Sequence, residues 1–100
     1  MSTFKAKIYS AEIVFTHPPP SLRQFAQDLD ITPESPFGIE QDSWGARDSL
    51  EIWFQRIDGQ KLTLHIQRAH FKRNETYIKD LQSFFDEADA LEYVERVEVK

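Results

Sequence analysis

A chain of 100 residues with 40% hydrophobic and 29% charged side chains is sized for one domain, able to bury about two-thirds of its unfolded surface. It is too apolar for disorder, and without cysteine it has neither disulfides nor thiolate metal ligands, which makes a reducing, cytoplasmic setting the default. A formal net charge of -5 opposes sequence-independent attraction to nucleic-acid phosphates and suits a basic partner.

Met1 to Ser10 lacks the apolar segment of a signal peptide, and no run reaches membrane-spanning length. Phe4 to Phe15 then reads as a strand whose alternation changes phase. Phe4, Ala6 and Ile8 share one face, and Tyr9, Ala11, Ile13 and Phe15 the other, so either a bulge near Tyr9 to Ala11 or two short strands is expected. His17-Pro18-Pro19-Pro20 stops the strand. Ser21 is placed as a helix N-cap, with Gln24 completing a capping box, and Leu22, Phe25, Ala26 and Leu29 form an apolar stripe that ends near Asp30.

From Asp30 to Asp48 the pattern predicts a long acidic loop, because Pro33, Pro36, Gly38 and Gly45 break any regular element. Asp30, Glu34, Glu40, Asp42 and Asp48 stand there against Arg47 alone. Phe37, Ile39 and Trp44 pin the loop to the core, with Trp44 the candidate contact residue.

Leu50 to Gln67 is the most legible stretch, a β-hairpin around Asp58-Gly59. Leu50, Ile52 and Phe54 alternate before the turn, and Leu62, Leu64 and Ile66 after it. A loop of Ile57-Asp58-Gly59, with Gly59 in a G1 bulge, sets Phe54 opposite Leu62, Ile52 opposite Leu64 and Leu50 opposite Ile66. One face is then continuously apolar. The other displays Glu51, Trp53, Gln55, Lys61, Thr63, His65 and Gln67, with Glu51 across from His65.

Arg68 to Arg73 forms a basic connector, and Asn74 is placed as the N-cap of a second helix whose stripe is Tyr77, Ile78, Leu81, Phe84, Phe85 and Ala88. Asp86, Glu87 and Asp89 crowd its C-terminal end, where the helix dipole favours cations. Leu91 to Lys100 reads as a last strand.

Strand, helix, strand, strand, helix, strand is the order of a ferredoxin-like βαββαβ sandwich: an α+β fold with a four-stranded antiparallel sheet, strand order 4-1-3-2, and both helices on one face. If the first strand is split, the sheet has five strands. The sequence carries no nucleotide-binding, metal-ligating or nucleophile-elbow motif, so no cofactor or metal is expected. RNA-recognition domains share the element order, but Thr63, His65 and Gln67 stand where they need aromatics.

The function this implies is a noncatalytic protein-binding module, most concretely an acidic inhibitor or immunity-type protein that blocks a basic partner. Asp42, Trp44, Trp53, Asp86, Glu87 and Asp89 are its expected contact residues. The alternative is a small enzyme or a ligand-binding homodimer with a pocket near His65 and Trp53, in which Glu51 orients the imidazole as a base.

Overall fold

The computed structural model describes residues 4–100, so the first three residues of the stretch read as lacking a leader lie outside it. Its elements are β1 (Tyr9–Phe15), α1 (Leu22–Asp28), β2 (Thr32–Pro33), β3 (Ser43–Arg47), β4 (Leu50–Asp58), β5 (Lys61–Arg68), α2 (Asn74–Asp89) and β6 (Val94–Val99). The strands form one sheet in the order β2-β3-β4-β5-β1-β6, with every pairing antiparallel.

The strands foreseen from the sequence are β1, β4, β5 and β6, and they lie in the sheet as β6-β1-β5-β4. The expectation of a four-stranded sheet is corrected at the far edge, where part of the supposed loop adds β3 and the two-residue β2. Nor is the first strand split. β1 begins at Tyr9, while Ala6, Lys7 and Ile8 before it are exposed and Phe4 folds back onto Tyr9 and Phe85, with ring centroids 5.4 Å from each. The irregularity comes in the β1–β6 ladder at Val14/Phe15, where Glu95 is the extra residue of β6, rather than near Tyr9.

In the central hairpin the inward set is the expected one, but the pairs are displaced by two residues. Phe54 lies opposite Leu64, Ile52 opposite Ile66 and Leu50 opposite Arg68. The turn closes between Asp58 and Lys61, and Gly59, with φ 61, takes the first of its two central positions, the glycine-first pattern of a type II′ turn. A two-residue turn alone would put the wrong faces together. The extra residue that restores parity is a bulge at Gln55, between the pairs Phe54↔Leu64 and Arg56↔Thr63, not in the turn.

Both helices lie on the apolar face. Phe25 of α1 sits 5.4 Å from the Phe15 ring and 6.3 Å from that of Phe54; Tyr77, Leu81, Phe84 and Ala88 of α2 are fully buried in the same cluster. Ser21 Oγ caps α1 by accepting from Gln24 N at 3.1 Å. The capping box stays half closed, because the Gln24 amide donates to Asp28 instead. In α2 the N-cap is Arg73, not Asn74, since the Asn74 side-chain oxygen accepts from the Arg68 guanidinium. The acids at the end of α2 receive a cation from the sheet: Arg47 of β3 pairs with Glu87, offsetting an arrangement the helix dipole disfavours.

The Tyr77 hydroxyl donates to the carbonyls of Ile66, at 3.1 Å, and Lys7. Burial, with a smaller contribution from Tyr9, pushes this phenol up from 10.0 to about 12. Below pH 10 it is neutral in both the folded and unfolded chain and adds no pH dependence. Between 10 and about 12 the unfolded chain ionises first, so stability falls as pH rises. Tyr77→Phe should therefore flatten the alkaline limb of stability while costing about 1–2 kcal/mol at neutral pH for the lost hydroxyl. Urea midpoints across this range check it; an unchanged alkaline slope would refute the assignment.

Candidate functional site

Helices cover one side of the sheet, and the other side carries a row of side chains in direct cross-strand register. Trp44 of β3 is paired with Trp53 of β4, Trp53 with His65 of β5, and His65 with Ser10 of β1. The Trp44 and Trp53 rings stack 5.9 Å apart at 18°, and the Trp53 and His65 rings follow at 5.4 Å and 33°. All four residues are half-buried. Adjacent strands stand about 4.8 Å apart, so flat side chains at paired positions meet face to face. Each aromatic contact adds roughly 0.5–1.5 kcal/mol beyond the area it covers.

His65 is held at both ring nitrogens. Ser10 Oγ lies 2.7 Å from Nδ1, and Gln55 Oε1 faces Nε2. An amide oxygen only accepts, so Nε2 donates to Gln55, and in the neutral ring Nδ1 accepts from the Ser10 hydroxyl. The bulge at Gln55 brings the amide within reach, since it sets two residues of β4 against one of β5. The expected Glu51–His65 pair is corrected by the two-residue displacement of the hairpin. Glu51 lies opposite Gln67, whose amide donates to it at 3.2 Å, so the carboxylate that would orient a general base is absent from this ring.

The row has an acidic border. Glu34, Glu40, Asp42 and Trp44 line a shallow depression, shaped by Ser43, whose hydroxyl accepts from Glu40 N at 2.8 Å and donates to Glu40 O at 2.5 Å. Asp42, at φ 60, is fixed by its N–H to Phe54 O at 2.6 Å. Asp86, Glu87 and Asp89 are exposed on α2, in the helix layer on the other side of the sheet. Glu87 is moreover engaged by Arg47. Of the sequence-predicted contact residues, the fold thus brings Asp42, Trp44 and Trp53 together and leaves Asp86, Glu87 and Asp89 elsewhere. Ser10 and Gln55 escaped sequence reasoning, because their place beside His65 depends on the pairing of β1 with β5 and on the bulge.

Across β1, β5 and β6 the same face turns ionic. Glu12 lies 3.9 Å from Lys61 and 3.5 Å from Lys100, and Arg96 Nε donates to Glu98 at 2.7 Å, which holds the Glu98 carboxyl below the usual carboxylate range. Among the described residues no group of three or more His, Asp or Glu is placed to hold a metal, and no helix is long and apolar enough to cross a membrane. The chain matches no family model, no curated protein and no solved structure; the functional reading rests on these residues and their geometry.

Proposed function

We propose that the protein is a noncatalytic protein-binding module that docks a basic partner on its open sheet face, in the manner of an acidic inhibitor or immunity-type protein. Its frame is read as ferredoxin-like, enlarged at one edge by β2 and β3. The observation that carries this reading is the stacked Trp44–Trp53 pair on the uncovered face, beside the depression bordered by Glu34, Glu40 and Asp42. Half-buried tryptophans give a partner a large rigid anchor. The acids beside them, on a chain of net charge -5, attract a basic surface and speed encounter.

The test uses a basic protein that co-purifies with the tagged chain at low salt and its measured binding kinetics. Trp53→Ala should weaken the complex by about 30-fold or more, through faster dissociation. Glu40→Lys with Asp42→Lys should slow association and flatten its salt dependence. Asp86→Lys, on the helix side, should leave both rates nearly unchanged. Full binding by Trp53→Ala, or a loss confined to Asp86→Lys, would overturn the placement of the interface.

A further inference from the structure

The two edges of the sheet differ. At one end β2 is two residues long and includes Pro33, which cannot donate to another strand, so this edge is blunted against further pairing. At the other end β6 runs from Val94 to Val99 and pairs, among the described residues, with β1 on one side only. Lys100 N donates to Ser10 O at 2.8 Å, which fixes the alternation of the ladder: residues 96, 98 and 100 turn their N–H and C=O groups toward β1. Val97 and Val99 turn theirs outward.

The outward groups and the charges of β6 favour an axis at Val97; one at Val99 would also set Glu98 against Lys100, but it lies at the end of the strand and overlaps little of it. In an antiparallel pair of identical strands, a two-fold axis falling between residues opposes outward-facing with inward-facing backbone groups, so the axis passes through a residue. An axis at Arg96 places Arg96 against its own copy, and one at Glu98 places Glu98 against Glu98 and Arg96 against Lys100. An axis at Val97 sets Arg96 opposite Glu98 twice, with Val97 exchanging both backbone bonds with its copy. Arg96 and Glu98 share the open face with their β1 partners Val14 and Glu12. Their side chains are about half exposed, at 50% and 42%, so they are placed to exchange partners across the edge.

We infer that a second copy of this chain pairs along β6, two-fold symmetric about Val97, joining two sheets into one with both open faces on the same side. The alternating Arg96–Glu98 charges select this register over its neighbours. Like charges directly opposite are destabilising and unlike charges stabilising, and symmetry makes each effect count twice. The two aromatic rows then face the same way, one in each half.

Sedimentation velocity over a concentration series tests this on the whole chain. The wild type should approach twice the monomer mass. Arg96→Glu, which opposes two carboxylates at both symmetric positions, should weaken self-association by about tenfold or more. The exchange Arg96→Glu with Glu98→Arg restores every cross-edge pair and should return the dimer to near wild-type strength. Val97→Pro removes an outward N–H, together with some packing of the Val97 side chain on the core, and should give a folded monomer with nearly unchanged far-ultraviolet circular dichroism. A wild type that stays monomeric throughout would overturn the inference. So would a dimer equally strong in Arg96→Glu and the wild type, or one that the exchange variant fails to restore. A dimer abolished by Trp53→Ala but insensitive to the Arg96 and Val97 variants would place the contact on the open face instead.

Discussion

Replacing Gly45 by valine is expected to destabilise the protein by about 3 kcal/mol and to displace Trp44 beside it. Gly45 lies in the middle of β3, paired with Ile52 on one side and Pro33 on the other. A Cβ built there would stand 2.6 Å from Ile31 Cγ2, 2.9 Å from Ile39 Cδ1 and 3.3 Å from Thr32 O. Its backbone is not in the left-handed region, so the requirement is for space, not for conformational freedom. Ile31 and Ile39 are each 5% exposed and pack against the bare backbone where a side chain would be. Alanine at this position should cost about 1–3 kcal/mol, valine more, because its two methyl groups add to the overlap. Urea denaturation measures the loss. Ile31→Ala removes the nearest methyl, so Gly45→Ala should cost less in that background than alone. Additivity of the two changes would show that the crowding is not the cause.

Gly45 also marks where the sequence stopped being legible. Two glycines and two prolines between Asp30 and Asp48 read as breakers, and for Pro36 and Gly38 that reading holds: both lie outside the strands. Pro33 instead sits in an edge strand, the one place in a sheet where its missing donor does little harm. Gly45 is a strand residue chosen for close approach. Five residues, Ser43 to Arg47, are too few for alternation to announce a strand, and the apolar residues that cover it, Ile31 and Ile39, come from the preceding chain. Its partner relation to β4 is tertiary information.

The hairpin gives the opposite lesson. Apolar alternation identified correctly which side chains of β4 and β5 point inward, because burial of one face constrains parity strongly. It left the pairing open by an even number of residues, since every two-residue displacement keeps the same faces. Turn preference and the bulge at Gln55 decide between those registers. The consequence for the site is direct: the displacement moves Glu51 away from His65, brings Trp53 against it, and so exchanges a catalytic arrangement for an aromatic row. Trp44 and Trp53 were identifiable as unusual residues from the sequence, but their stacking required β3.

Removing the Asp80 carboxylate should cost about 2–4 kcal/mol, although the residue touches neither tryptophan. Ser49, in the turn that joins β3 to β4, is 2% exposed. Both its N–H, at 3.1 Å, and its hydroxyl, at 2.5 Å, donate to the same oxygen of Asp80 on α2, while its carbonyl accepts from Ala69 N at 2.8 Å. Asp48 before it has φ 53, so the turn is held in a conformation that a non-glycine residue disfavours. In Asp80→Ala two buried donors lose their acceptor at once, and each is expensive to leave unmet. Asp80→Asn keeps an acceptor oxygen and should lose only about 1 kcal/mol, the charged part of the two bonds. Because the turn anchors the added strand to the helix layer, amide exchange in Asp80→Ala should quicken in β3 more than in β1 or β5. Ser49→Ala removes one of the two donors, so Asp80→Ala should be milder in that background than in the wild type. Equal losses in both backgrounds, or equal losses for alanine and asparagine at position 80, would mean that the carboxylate holds the turn by something other than these two bonds.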